Sequence, residues 1–140
     1  MNKKITLLFA FLLLILMSAY SQKNVVKQNH YNLAIAAIKA NNLSELDAQL
    51  KHIKNIDSLI RKDESTSYTL LGYACLYKNK AAIEKLIAQK ANIDYAYSDD
   101  IYIYDALYMA IDNGDYALTK YFFSKGAKVN QPYTEEGGCP

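Results

Sequence analysis

What this chain lacks narrows its chemistry first. It has no tryptophan, only two histidines and two cysteines, and two prolines. His30 and His52 stand 22 residues apart with no cysteine near either, so the ligand spacing of a zinc-type site is missing. No Ser, Cys or His sits in a local nucleophile motif, and the five glycines form no phosphate-cradling loop. Acid pairs such as Asp99-Asp100 and Glu135-Glu136 fall in loop-like stretches, where neighbouring carboxylates are solvated. The oxygen-ligand order of a calcium loop, with its central glycine and closing Glu, is absent around Asp99-Asp100. Nothing here calls for catalysis, a cofactor or a metal.

Charge is also nearly missing. The chain carries 16 basic and 14 acidic residues, and the excess is Lys3 and Lys4 at its start. The remainder is neutral, with no electrostatic footprint for nucleic acid and no polybasic segment for anionic lipid.

What is there begins with a leader. Lys3-Lys4 precedes an apolar run from Ile5 to Met17, followed by the small-x-small triplet Ala19-Tyr20-Ser21. This is the pattern of a secretory signal peptide. The run is shorter than the roughly 20 residues a spanning helix needs, which favours cleavage near Ser21/Gln22 over a membrane anchor. No cysteine follows it, so a lipoprotein anchor is not indicated. The expectation is a leader over 1–21, a polar flexible lead-in over 22–31, and a periplasmic or secreted mature chain that leaves the membrane after cleavage.

Residues 32–130 read as one pattern written three times, at shifts of 37 and 36. Asn32, Thr69 and Asp105 stand where a helix N-cap belongs, each with a side-chain oxygen able to take an orphan N–H. A small column follows at Ala37, Ala74 and Ala110. Asn41, Lys78 and Gly114 break the first helix, and Asn42, Asn79 and Asp115 cap the second. Asn42 and Glu45 stand as a capping box would place them. Apolar columns are expected at Leu46, Ile83 and Thr119, the last a lapse, and at Leu50, Ile87 and Phe123. The exits are Ile56-Asp57, Ile93-Asp94 and Val129-Asn130. Such periodicity marks a stacked all-α array, with helix pairs over 32–57, 69–94 and 105–130.

Thr69, Leu71 and Ala74, and more weakly Leu107 and Ala110, resemble the T-P-L-H-x-A opening of an ankyrin repeat. Gly126-Ala127-Lys128-Val129-Asn130 is similar to that family's repeat ending. The resemblance covers about residues 32–130 and implies an ankyrin-type solenoid of about three helix-turn-helix repeats with extended loop fingers. The family's Pro and His are here Leu70 and Gly72, then Ala106 and Tyr108. Its closing glycine is Lys90 in the second repeat and Ile53 in the first, so the first repeat should end differently, because a β-branched residue resists the left-handed turn.

The link Asp57 to Tyr68 reads as a solvated loop. The link Asp94 to Tyr104 alternates through Ile101-Tyr102-Ile103-Tyr104 and turns at Ser98-Asp99-Asp100, which predicts a β-hairpin finger. Tyr95, Tyr97, Tyr102 and Tyr104 surround that turn, and both a contact surface and packing along the stack are open to them. Twelve of the thirteen tyrosines lie beyond the leader. The family resemblance implies that a partner meets the finger tips and the exposed ends of the first helices. By alignment these are Lys39 and Ala40, then Leu76 and Tyr77, then Asp112 and Asn113. Of these, Leu76, Tyr77, Asp112 and Asn113, joined with Tyr95, Tyr97, Asp99, Asp100 and Tyr102 of the finger, are the candidate binding residues for another protein. Three roles stand: an exported interaction module, an inhibitor or immunity-type protein blocking an enzyme of the same compartment, or part of a longer solenoid.

Cys75 reads as a small buried core residue. Cys139 lies two repeat units away, too far for a bridge that needs Cα atoms within about 7 Å. Residues 131–140 read either as a tail or as the start of a fourth repeat, with Cys139 and Pro140 falling where a cap and a proline would recur.

Overall fold

The structure, a computed structural model, describes residues 3–98 and 103–129. Six helices and two hairpins follow one another: α1 (Lys3–Lys39), α2 (Leu43–Leu50), β1 (Ile60–Arg61), β2 (Ser67–Tyr68), α3 (Leu70–Leu76), α4 (Lys80–Ala88), β3 (Tyr97–Ser98), β4 (Ile103–Tyr104), α5 (Ala106–Asp112) and α6 (Tyr116–Ser124). Three helix pairs stack side by side, with α3 lying between the end of α1 and α5. The expected helix-pair solenoid with extended fingers is what the chain forms.

The breaks between paired helices are set by one repeated device. Asn41, Lys78 and Gly114 all take left-handed backbone, at φ 54°, 52° and 64°. The residue after each donates its N–H back five residues: Asn42 to Ala37 O (2.8 Å), Asn79 to Ala74 O (2.9 Å) and Asp115 to Ala110 O (2.9 Å). This closes the first helix by satisfying its last carbonyls. The same residues then cap the second helix through their side chains. Asn42 accepts from Glu45 N (3.0 Å), Asn79 from Ala82 N (3.0 Å) and Asp115 from Leu118 N (2.9 Å). One residue thus ends one helix and starts the next. The predicted capping box is only half closed: Asn42 N–H already belongs to Ala37, so Glu45 turns instead to accept from Gln49 Nε2 (2.6 Å).

The repeat endings divide as the sequence suggests. Lys90 (φ 69°) and Gly126 (φ 90°) make left-handed turns, with Ala91 N–H bonded to Leu86 O (3.0 Å) and Ala127 N–H to Phe122 O (3.1 Å). Ile53 makes no such turn; its N–H bonds Leu50 O at 3.2 Å. A lysine in this conformation costs about 1 kcal/mol, and repeat two bears that cost twice, at Lys78 and Lys90.

Four sequence expectations need correction. Thr69 and Asp105 cap their helices, accepting from Gly72 N (3.0 Å) and Tyr108 N (2.6 Å), but Asn32 lies inside α1. The lead-in 22–31, expected to be flexible, is helical and continuous with the first repeat. No glycine or proline occurs before Gly72, so nothing there breaks the helix. Next, in the apolar column Leu50, Ile87 and Phe123 the first two are half-buried against the core, but Phe123 is 45% exposed. The buried positions are one residue earlier, at Leu86 and Phe122. Leu118 likewise takes the buried place beside Thr119, whose hydroxyl donates to Asp115 O at 2.8 Å. Last, residues 57–68 form a hairpin rather than a plain loop.

The hairpins join. β1 pairs β2, β2 pairs β3 and β3 pairs β4, all antiparallel, giving one four-stranded sheet in chain order. Its central register sets Tyr68 opposite Tyr97 and Ser67 opposite Ser98. In the first turn Asp63 Oδ1 accepts from Ser65 N (3.2 Å) and Thr66 N (2.9 Å). The donors of Thr66 hold the Asp63 carboxyl well below the usual carboxylate range.

Candidate protein-binding surface

The tyrosines organise the inner face where first helices meet fingers. Tyr73 on α3 and Tyr77 at its C-cap, one turn on, stack at 6.2 Å between ring centroids. Tyr73 meets Tyr68 at 5.3 Å, Tyr68 meets Tyr97 at 4.9 Å, Tyr97 meets Tyr104 at 4.2 Å and Tyr104 meets Tyr108 at 4.8 Å. Six rings therefore run without interruption from the second repeat, across the sheet, to the third. Cross-strand register makes the middle of this ladder, because directly opposed residues put their side chains together.

Burial sorts the ladder into framework and surface. Tyr68 and Tyr73 are buried, while Tyr97, Tyr104 and Tyr108 are half-buried. Burial pushes the Tyr73 phenol up to about 12 and raises that of Tyr68. Tyr77 is 37% exposed and ends the ladder beside solvent, with Lys39 Nζ 5.8 Å from its ring centroid. At that range the cation is drawn to the ring face.

The finger is pinned to α3 at close quarters. Ala96 O accepts from Thr69 N (2.8 Å) and Thr69 Oγ1 (3.1 Å). A β-carbon on Gly72 would overlap that carbonyl, so glycine is required there for contact, not for turn geometry. The family histidine that Gly72 replaces has no room.

The predicted binding residues fall into three groups. Asp99, Asp100 and Tyr102 lie outside the described residues. Leu76 is half-buried and packs on the core, Tyr97 is half-buried within the ladder, and Tyr95 is half-buried, with its phenol raised by burial. Tyr77, Asp112 and Asn113 are exposed at the helix breaks. Asn113 Nδ2 folds back to donate to Met109 O at 2.7 Å. The surface reading missed the column Tyr31, Tyr68, Tyr104, which precedes the three first-cap positions at the repeat spacing. Tyr31 is buried, and its hydroxyl donates to Asn55 O at 2.7 Å.

The other reactive side chains serve structure. His30 and His52 stack at 4.6 Å. Gln49 must turn its amide nitrogen to the Glu45 carboxylate, which only accepts, so its oxygen receives the proton of His30 Nδ1 at 2.7 Å. Cys75 is buried, and desolvation pushes its thiol up to about 12, far from nucleophilic use at neutral pH. Among the described residues no group of three His, Cys, Asp or Glu is placed to hold a metal.

No family model and no curated protein sequence matches the chain. Solved structures do. An effector of Legionella, AnkH, is similar over 76% of this chain and 21% of its own, at 26% identity and TM-score 0.59. The human ASB11 ankyrin repeat domain is similar over 75% of this chain and 43% of its own, at 19% identity and TM-score 0.57. A chain of the complex between the Bd0816 predatory endopeptidase of Bdellovibrio bacteriovorus and immunity protein Bd3460 is similar over 73% of this chain and 50% of its own, at 17% identity and TM-score 0.55. This chain thus spans half or less of each of these three structures. The repeated caps, breaks and fingers and these likenesses agree: the chain has the ankyrin-repeat fold.

Proposed function

We propose that this chain is an exported, non-catalytic module that holds another protein against the inner ends of its first helices and the base of its fingers. The observation that carries the reading is the solvent-facing rim of Tyr77, Ile111, Asp112 and Asn113. Ile111 is 57% exposed in the column where Ile38 and Cys75 meet the following repeat and are 1% and 2% exposed, so it opens on the end of the described stack. The rim is anchored by the tyrosine ladder, so a partner would meet side chains already ordered, which lowers the entropic cost of binding. Export is supported by Leu12 to Met17, which are 47–68% exposed and so gain no cover from the repeats. Among the described residues no helix is long and apolar enough to cross a membrane.

Capture from an extracytoplasmic extract tests this, with wild-type protein beside a Tyr77→Ala/Ile111→Ser variant. A partner retained by the first and lost by the second, at equal melting temperature, supports the surface; equal capture by both removes it. Recovered protein whose first residue is Gln22 supports export, and an intact Met1 counts against it. A second reading, an immunity-type protein that blocks an enzyme, draws on the likeness to a chain of the endopeptidase–immunity complex. It predicts that the captured partner is an enzyme whose turnover stops on binding.

A further inference from the structure

Between the inner ends of the first and second repeats lies a groove lined by Ile38, Lys39, Tyr77, Lys78, Asn79 and Lys80, among others. Its charge is of one sign. Among the described residues no carboxylate lines it, and the one acid engaging its lysines is Glu84, 3.9 Å from Lys80 Nζ and half in solvent. Asp115 lines the next groove along with Lys78 and Lys80 but forms no ion pair with either. Lys39 sits over the Tyr77 ring, so one cation and one aromatic are already held in place.

Lys78 adds an independent observation. It occupies the left-handed break position at φ 52°, where the other repeats use Asn41 and Gly114, residues that take this conformation at little cost. A side chain kept at a strained position, and not used for internal pairing, points to a use outside the fold. Lys90 bears the same strain at φ 69°, but at the outer edge of the repeat, beside Glu84, Tyr121 and Lys125. It supplies a matched comparison.

From this we infer that the groove receives an acidic segment of a partner protein, whose carboxylates pair with Lys39, Lys78 and Lys80 while Tyr77 packs along its backbone. The inference rests on the interaction-module reading and gives the partner its chemistry. Charge complementarity selects the occupant, because an acidic segment would be drawn to a groove lined by three lysines and no described carboxylate, and a basic one repelled.

The test uses a fluorescein-labelled hexaglutamate peptide, with hexalysine, a neutral Gly-Ser hexamer and a single-stranded oligonucleotide as comparisons. Hexaglutamate should bind in preference to the other three, and its affinity should fall as salt shortens the Debye length. Lys78→Gly should raise the melting temperature by relieving the backbone, yet weaken hexaglutamate about fivefold, as losing one partly exposed ion pair does. Lys90→Gly should raise the melting temperature equally and leave affinity unchanged. No preference for hexaglutamate, preference for the oligonucleotide, or equal loss in the two glycine variants would overturn the inference. The two levels separate in partner capture. A Lys39→Ser/Lys78→Gly/Lys80→Ser variant that keeps a partner lost by Tyr77→Ala/Ile111→Ser ends the acidic-segment inference alone; both variants keeping it ends the interaction reading as well.

Discussion

The junction between the first and second repeats and that between the second and third are built from the same columns but fastened differently. At the first junction Asn79 both caps α4 and donates its amide to Ile38 O at 2.7 Å, reaching the previous repeat with the atom its cap does not need. Lys85 meets Asp47 at 2.6 Å, whereas the bond of Asn92 N–H to Asp57 at 2.8 Å recurs at the second junction as Lys128 N–H to Asp94 at 3.3 Å. In the third repeat Asp115 stands in the column of Asn79 and caps as well, but a carboxylate has no donor to send backward. Asp105 stands in the column of Thr69. Thr69 satisfies its hydroxyl on the finger, while Asp105 keeps Oδ2 buried with no hydrogen-bond partner. Equivalent positions in a repeat are therefore not equivalent in stability, because one atom changes which neighbour can be held.

The largest effect should come where the backbone approaches most closely. Gly72→Ala pushes a methyl into Ala96 O and should cost about 3 kcal/mol in urea unfolding, the upper range for overpacking. A variant of unchanged midpoint would mean that the finger is not pinned to α3 as described.

The next prediction measures the asymmetry directly. Asn79→Ala removes a cap and a buried inter-repeat bond and should cost about 2 kcal/mol. Asp115→Ala removes a cap alone and should cost about 1 kcal/mol. Equal losses would erase the distinction between the junctions.

Alkali should probe the buried side of the second repeat. The Cys75 thiol rises from 9.0 to about 12, and the Tyr73 phenol from 10.0 to about 12, both chiefly by burial. Each group ionises more readily unfolded than folded. Its stabilising contribution is whole below the ordinary value and is lost as pH climbs toward 12. The slope should reach about 1.4 kcal/mol per pH unit for each group between its two values. Cys75→Ala should flatten the leg that begins near pH 9, and Tyr73→Phe the leg that begins near pH 10, both read by chemical denaturation across pH.

The smallest effect should be a gain. Burial raises the Asp105 carboxyl, so the fold favours its neutral form and loses stability as pH rises through that raised value. Asp105→Asn keeps an acceptor for Tyr108 N–H and removes the ionisation. It should raise the melting temperature at neutral pH, and the gain should vanish below the ordinary carboxylate range. A gain that persists at low pH would point to packing instead.

Much of the scaffold was legible in the sequence because caps and breaks act over a few residues. Thr69, Asn79, Asp105 and Asp115 carry their instructions locally, and the left-handed positions declare themselves at Gly114 and Gly126. Asn32 misleads because a cap residue acts only where a helix has reason to stop, and no breaker precedes it. The column ending at Phe123 slips by one residue in the third repeat because helical periodicity gives a stripe, while the stacked neighbour decides which edge of that stripe is covered. The first hairpin was hidden because its strands are two residues long and their partners come from the next finger. The candidate surface was legible in part. Tyr77, Asp112 and Asn113 follow from alignment to the breaks, but the ladder depends on register across four strands. Spacing alone marks only its column at Tyr31, Tyr68 and Tyr104.

Pairing of β2 with β3 has a mechanical consequence. Two loops that would otherwise sway separately share backbone bonds and a stacked pair of rings, so bending one drags the other. A partner of the kind proposed would meet the two finger bases as one body and would have to suit their joint pitch on arrival instead of coaxing each into place.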